Sequence, residues 1–506
     1  MLDQTERHDR ELALASRAPR ASRPALTSSD PTPDATWPHQ RRALLIAYHF
    51  GPDSATGAFR WTHLIPHLVE LGWGFDVIAL ERPGQAYARV DPDAAATHAV
   101  EVFPVPIPAS GFMLERWSWA AIGVAKRVLA QLKRSESASQ EPADSAAVVD
   151  EASGPSRVFV LDPRMRRPPK ARLAADLVGA SEAFKDFAWE RQAVALGRRL
   201  IAARRHRVIV VSSPPHVTQI VGARLTRSSG VPYVADYRDP WFYGIGPTNY
   251  ADDIWRFIGR RYEPRTQGRA RIVVHNTERA QHAVEHDLKN TVKVQRTSIP
   301  NGSDIIGSEV GYPDTDVFRL VYTGELHPFM DVRVLLDACG RLRRRFDLGR
   351  DRFRVEFMGT NPQFGGVELA ALARHYGLGE VFQLYPRGPR AGAVALQESA
   401  AVLAAFDCPH PLCIPAKFYD YMRMRGALLL LGHVQGAMAD AAARIGARVY
   451  AIDDSDGIDA ALDAAWMGWQ ERRLTEPNDR DGVFDRRHTA HTWHRLLESL
   501  RAGSTG

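Results

Sequence analysis

The run VPYVADYRDPW, Val231–Trp241, places two acids, an arginine, a proline and a tryptophan at the end of five apolar-leaning residues. Val231–Ala235 reads as a buried strand. In an open α/β sheet, ligands meet the chain where strands deliver their carboxyl ends, so Arg238 and Asp239 stand where a substrate would arrive. The competing reading is local: Asp236 and Asp239 cap the next element and Arg238 pairs with them. Cys408-Pro-His-Pro-Leu-Cys413 spaces two thiols and an imidazole in the manner of metal ligands, but two prolines and a missing fourth ligand argue against a metal. The acid pairs Asp91/Asp93, Asp314/Asp316 and Asp453/Asp454 sit in polar turns, where turn and N-cap roles fit better than a metal triplet. His49, at the end of the first strand, reads as a packed loop histidine rather than a catalytic base.

The elements that would position these residues alternate between strand and helix. Ala43–Tyr48 is a short apolar strand, followed by a loop with Gly51, Pro52 and Gly57. Trp61, Leu64, Ile65, Leu68 and Val69 then repeat at helical spacing until Gly72. Strands are expected at Phe75–Leu80, Val100–Phe103, Val208–Val211 and Ile272–His275, and a helix at Asp252–Thr266. The segment 106–206 breaks the alternation as a helical insertion, with a Ser-, Glu-, Asp- and Ala-rich linker at 135–156 that reads as flexible. Asn301–Asp316 is loop-like and serves as the hinge. A second series opens with Phe318–Tyr322 and Thr323-Gly324 and continues through strands at Val355–Met358, Val381–Leu384, Ala401–Ala405, Ala427–Leu431 and Ala447–Ile452. The expected fold class is α/β: two Rossmann-like, doubly wound parallel-sheet domains facing across a cleft. The expected division is a disordered leader over 1–39, an N-terminal domain over 40–305, a C-terminal domain over 306–475 and a terminal helix and tail over 476–506.

The 506 residues exceed what one core accommodates. A hydrophobic content of 45% and a charged content of 25% are ordinary for a globular chain. A net charge of +6 is too weak to imply nucleic acid, although it suits phosphate-bearing ligands or an anionic membrane surface. Three cysteines give no disulfide framework and point to a reducing cytoplasm. No signal peptide and no run of ~18–20 apolar residues is present. There is no phosphate loop of the nucleotide-hydrolase type and no GxGxxG after the first strand, which argues against a dinucleotide oxidoreductase.

Five short motifs occur in an order that resembles the GT-B-fold retaining glycosyltransferases of the family 4 type, over about residues 43 to 470. HFGPDSATGAFRW resembles that family's acceptor loop. Val211-Ser-Ser-Pro-Pro215 leading to DYRDPW resembles its "SSPP…DFRDPW" pair, and Ile299-Pro-Asn-Gly302 its "IPNG". Tyr322-Thr-Gly-Glu-Leu326 resembles "FTGSLY", and Pro415-Ala-Lys-Phe-Tyr-Asp-Tyr-Met422 resembles the donor-nucleotide helix.

The resemblance implies transfer of a sugar from a nucleotide-sugar donor to a saccharide or lipid-linked acceptor, with retention, in bacterial cell-surface polysaccharide or glycolipid synthesis. It implies donor residues Gly324, Glu325, Arg333, Arg387, Lys417 and Asp420, acceptor-loop residues Gly51, Ser54, Gly57 and Arg60, and catalytic residues Arg238, Asp239 and Lys417. Loss of a diphosphate builds negative charge on the leaving group, which a fixed cation stabilises; Lys417 is that cation. Asp420, on the same helical face, would accept the ribose hydroxyls where the family usually has glutamate. Gly324 lets the backbone approach the phosphates. No cofactor and no metal is required. Met330 stands where relatives often carry an arginine, with Arg333 or Arg387 as the replacement, and Asp407 is the candidate for a second donor acid. Alternatives are a GT-B sugar-nucleotide epimerase and a non-catalytic saccharide-binding or scaffold relative.

One helix bears on the membrane. From Phe112 to Arg134, Leu114, Trp117, Ala121, Val124, Val128 and Leu132 form a stripe opposite Arg116, Lys126, Arg127, Lys133 and Arg134. That suits an interfacial helix or one packed on its own domain. The basic run Arg164–Arg172 adds five cations that suit a lipid headgroup. The expected location is cytoplasmic, peripheral at the inner face of the plasma membrane.

Overall fold

The computed structural model describes residues 41–51, 56–82, 91, 93, 96–112, 169–241, 252–304, 316–327, 329–473 and 477–500. The leader, the linker at 135–156, Ser54 and most of the amphipathic segment Phe112–Arg134 lie outside these residues. Contacts divide the chain into two units. One comprises Pro38–Trp61, Leu68–Ile299 and His494–Gly506, and the other Met1–Trp37, Thr62–His67 and Pro300–Trp493.

The first unit is built on a seven-stranded sheet. Its strands are β1 (Arg42–Ala47), β2 (Gly74–Leu80), β3 (Val100–Val105), β4 (Val208–Ser213), β5 (Tyr233–Tyr237), β6 (Ile272–His275) and β7 (Gln295–Ser298). All pair in parallel, in the order β3-β2-β1-β4-β5-β6-β7. β1, β4 and β5 are buried at every position, as strands covered on both faces must be. Helices α1 (Thr56–Glu70), α2 (Pro169–Arg204), α3 (Thr218–Ser229), α4 (Asp252–Gln267) and α5 (Glu278–Leu288) accompany the sheet. The 36-residue α2 is the helical insertion; Trp189 anchors it, fully buried, with its indole N–H on the Val105 carbonyl at 3.1 Å.

The second unit repeats the plan. Strands β8 (Phe318–Thr323), β9 (Phe353–Met358), β12 (Phe382–Tyr385), β13 (Val402–Phe406), β14 (Ala427–Leu431) and β15 (Val449–Tyr450) form a parallel sheet ordered β12-β9-β8-β13-β14-β15. A two-residue antiparallel hairpin, β10 (Gln363–Phe364) and β11 (Val367–Glu368), branches from it. The helices are α6 (Val332–Arg345), α7 (Leu369–His375), α8 (Arg390–Glu398), α9 (Ala416–Met422), α10 (Ala437–Ala443) and α11 (Ser455–Gln470), followed by α12 (Arg486–Ser499), whose residues from His494 on count with the first unit. In each sheet the strand order reverses once, between β1 and β4 and between β8 and β13, and such switch points open the crevices that hold ligands.

The sequence places a strand end at Ala235, but β5 begins at Tyr233 and runs through Asp236 to Tyr237. Asp236 is fully buried inside it, where Arg60 pairs with its carboxylate and the Trp61 indole donates to it. β7 carries the polar sequence QRTS; as an edge strand it needs no apolar run, and periodicity passes over it. The expected strand Ala447–Ile452 shrinks to two residues. Among the described residues no helix is long and apolar enough to cross a membrane.

At the amino-terminal edge of the first sheet, five charged or titratable side chains share one buried network. Arg42 reaches Asp76 at 2.5 Å, Arg204 reaches Asp76 at 2.9 Å and Glu101 at 2.5 Å, and His206 Nε2 lies 2.8 Å from Asp76. Burial alone would raise the Asp76 carboxyl, but hydrogen bonds from His206 and Arg42 bring it down to about 2. Removing one partner strands the others without water. Asp76→Asn is therefore expected to cost ~3–5 kcal/mol at pH 7. The folded carboxyl ionises below the unfolded value of about 3.9, so its contribution is complete above pH ~4 and disappears as pH falls towards 2. Guanidinium unfolding should show the gap between wild type and variant closing over that window.

Candidate active site

The first unit gathers its polar groups where β1, β4 and β5 end. Gly51 follows β1 with φ +76°, and His49 Nδ1 lies 2.8 Å from Arg82. After β4 the chain turns through Ser213-Pro214-Pro215 with both prolyl bonds cis. Arg238 folds over this turn: its Nε donates to the Ser213 carbonyl at 3.1 Å and Nη2 to the Pro214 carbonyl at 2.5 Å. Gly57 makes room for it, since a Cβ there would lie 2.6 Å from Arg238 Nη1. His216 donates from Nε2 to the Asp239 backbone carbonyl at 2.8 Å and stacks on Trp241; burial pushes its imidazole down to about 4.

Beneath this layer, Arg60 is 4% exposed. It pairs with Asp236 at 3.1 Å and donates to the Ile299 carbonyl at 2.9 Å, while Trp61 Nε1 donates to Asp236 at 2.8 Å. The structure thus brings Gly57 and Arg238 together and sets Arg60 under the surface as their support. Tyr48 and Asp186 also meet here through a side-chain hydrogen bond. Burial, with Glu182 adding to it, raises the Asp186 carboxyl to about 7. Asp186 comes from the insertion, and its place at a sheet edge had no signal in the sequence.

The second unit presents Gly324 directly after β8, with φ +104°, a conformation that favours glycine. Its N–H donates to the Met358 carbonyl at 2.8 Å. Helix α9 buries Phe418, Tyr419, Tyr421 and Met422. Lys417 and Asp420 fall on its less buried side.

The Lys417 stem crosses the Tyr322 ring, with Nζ 3.7 Å from the centroid. Nζ lies 3.4 Å from where a Cβ on Gly324 would be. It is buried and, among the described residues, has no hydrogen-bond partner. Burial pushes its ammonium down to about 7. The ring offsets part of that cost by cation–π attraction, and no carboxylate among the described residues pairs with it.

Asp420 instead accepts from Arg390 at 3.1 Å, and burial still raises its carboxyl above the usual range. Arg390 was not visible as a partner in the sequence, because thirty positions and a strand separate the two.

The remaining expected residues are spread out. Arg333 makes a two-point pair with Asp331 at 2.7 Å on both contacts, Arg387 stands exposed after β12, and Glu325 is exposed. Met330 is buried, its sulfur 3.5 Å from the Tyr322 hydroxyl. Asp407 follows β13, accepting from the Cys408 N–H at 2.7 Å and the His433 N–H at 3.3 Å; burial outweighs these bonds and raises it to about 7. Thr323 is pinned by Tyr421 and Gln397 at 3.2 and 2.7 Å, which holds the end of β8 against α9. Among the described residues, no group of three or more His, Cys, Asp or Glu could hold a metal ion.

Two parallel, helix-covered sheets with a helical insertion in the first define a GT-B-type architecture. Known structures share it. Sucrose-phosphate synthase from Thermosynechococcus elongatus matches with a TM-score of 0.53 and 13% identity, over 91% of this chain and 99% of that one. A UDP-forming trehalose-phosphate synthase from Burkholderia vietnamiensis matches at 0.55 and 13%, over 91% and 99%. Another from Burkholderia xenovorans, in complex with glucose-6-phosphate, matches at 0.53 and 11%, over 90% and 100%. At such identities the likeness is one of fold. No protein-family model and no curated protein matches the sequence.

The desolvated ammonium gives a test independent of substrate. The folded chain holds the Lys417 proton less tightly than the unfolded chain, whose value is ~10.4. Stability is therefore depressed below pH ~7 and recovers as pH rises towards 10. Lys417→Met keeps the stem and removes the charge. Thermal melts should show the variant more stable than wild type at pH 6, with the difference vanishing near pH 10.

Proposed function

We propose that the chain is a metal-independent retaining glycosyltransferase that moves a hexosyl group from a nucleotide-sugar donor to a saccharide or lipid-linked acceptor on the cytoplasmic side of the cell. The observation that carries the reading is the Lys417 ammonium, buried beside Gly324 without a hydrogen-bond partner among the described residues. An isolated cation is costly in a folded protein, and an anionic ligand at that place removes the cost. The donor diphosphate is such a ligand, and its charge grows as the glycosidic bond breaks. The UDP-forming relatives of the same fold support a nucleoside diphosphate as the leaving group.

In this reading the bond from the anomeric carbon to the diphosphate oxygen breaks with its electron pair on the phosphate. The acceptor hydroxyl oxygen bonds to the same face of that carbon, and its proton passes to the departing phosphate oxygen. Lys417 stabilises the leaving charge and Gly324 admits the phosphates. Asp420 takes the ribose hydroxyls once Arg390 releases it, with Glu325, Arg333 and Arg387 around the donor. The acceptor is assigned to Gly51, Ser54 and Gly57 and a catalytic role to Asp239, as the resemblance implies. Arg238 is a positioning residue that acts through the Ser213-Pro214 turn, and Arg60 one that acts through Asp236.

Calorimetry with a panel of nucleotide sugars tests the reading. Binding should return the Lys417 pKa towards its ordinary value, so at pH 8 the complex should take up close to one proton and at pH 6 almost none. Lys417→Ala should lose ~10²–10³ in turnover. Near-wild-type turnover in that variant would remove Lys417 from the mechanism, and binding without turnover in wild type would favour a non-catalytic relative.

The ribose assignment has its own test. Asp420→Ala should raise the Kd for the nucleotide while Asp420→Glu is tolerated. Equal loss in both variants would show that Asp420 serves only to hold Arg390.

A further inference from the structure

A strongly basic face of the first unit plays no part in the reading above. Between α2 and α3 lies a groove of about 550 Å³, lined by Arg191, Arg198, Arg224 and Arg227 with Val194 and Ala195, and no acid among the described residues lines it. All four arginines are exposed. Arg224 pairs at 2.9 Å with Glu190, a buried carboxylate whose charge that pair answers. Arg191, Arg198 and Arg227 have no salt-bridge partner among the described residues. The last turn of α3 carries Arg227, and α2 ends at Arg204 just before β4. Both ends lie towards the amino-terminal edge of the sheet, opposite the edge that carries Arg238 and Asp239, so this charge does not serve that site.

The same helical layer exposes aromatic surface. Among the described residues, the three phenylalanines most open to solvent are Phe112 (40%), Phe184 (45%) and Phe257 (71%). All three belong to elements packed together. Phe184 is on α2. Phe257 is on α4, which meets α2 where Phe187 and Tyr262 lie 5.5 Å apart. Phe112 follows Gly111, which packs against Lys185 and Ala188 of α2. Phe184, Arg191 and Arg198 are spaced by seven, which keeps them on one side of α2 over about 21 Å.

We infer that the outer face of the α2–α3–α4 layer docks on an anionic lipid surface, with the phenylalanines entering the interface and the arginines meeting headgroup phosphates. Guanidinium groups pair well with phosphate oxygens, and an array of headgroups needs no enclosure. A single soluble anion does need it, and an open groove between four exposed arginines does not provide it. Exposed phenylalanines beside the cations suit an interface of lipid and water and contribute nothing to a free phosphate.

Co-sedimentation of the full chain with vesicles tests this. Wild type should pellet with equal parts phosphatidylglycerol and phosphatidylcholine, release as salt rises, and stay in solution with phosphatidylcholine alone. The triple variant Arg191→Glu, Arg198→Glu, Arg227→Glu should bind about a hundredfold more weakly, at roughly fivefold per cation near the surface. A glutamine version should lose affinity in the same direction. Phe184→Ser with Phe257→Ser should weaken binding while leaving the salt dependence unchanged. Thermal melts would show that the variants stay folded. Any of three results would overturn the proposal: wild type that ignores anionic vesicles, a triple variant that pellets like wild type, or equal pelleting on neutral vesicles. Calorimetric binding of inorganic tripolyphosphate by a wild type that ignores vesicles would make the groove a soluble-anion site instead.

Discussion

A parallel sheet covered by helices on both faces has no water along its strands, so charge survives only at strand ends, and there only when it is answered. This constraint orders both units. At the amino-terminal edge of the first sheet, Arg42, Asp76, Glu101, Arg204 and His206 answer one another within hydrogen-bond distance. At the carboxyl edge, Asp236 sits inside β5 only because Arg60 and the Trp61 indole reach it. These networks set the register of α1 and α2 on the sheet, and a single missing partner leaves a buried charge uncompensated.

Against that background Lys417 is an exception with a meaning. The chain places an ammonium where burial disfavours it and gives it the face of Tyr322, with no carboxylate paired to it among the described residues. Asp420, on the same short helix, is turned to Arg390. Cation and acid therefore stay apart on one face and keep distinct chemistry, which suits a ligand carrying both phosphate and hydroxyl groups. The supports are ordinary packing: buried Tyr421 and Gln397 on Thr323, and a glycine whose backbone angle excludes a side chain at the closest approach. A desolvated charge gathered at one strand end is the pattern expected where structure is traded for function.

The two units differ in how their edges are used. In the second, a cation lies beside Gly324 with no hydrogen-bond partner among the described residues. In the first, the arginine of the DYRDPW run is spent on backbone carbonyls, and the insertion adds Asp186 beside Tyr48. The insertion helix also carries two of the four exposed arginines, Arg191 and Arg198, and the exposed Phe184. One long helix thus serves the sheet edge through Asp186 and the solvent through Arg191 and Arg198.

The order of the elements was legible in the sequence, because a strand buried on both faces must be a contiguous apolar run. Ile272–His275 and Ala427–Leu431 are found where they were expected. The edge strand Gln295–Ser298 was not legible, since an edge imposes no such demand, and the reach of β5 through Asp236 was hidden because its partners lie 175 and 176 positions away. Motif order singled out Lys417, Asp420 and Gly324. Only the tertiary structure decided that Lys417 is desolvated, that Asp420 is held by Arg390, and that Arg238 grips a turn instead of facing outward. The division has a physical cause. Burial pattern is a property of neighbouring residues along the chain, whereas the charge state and pairing of a side chain depend on groups that folding brings from far along it.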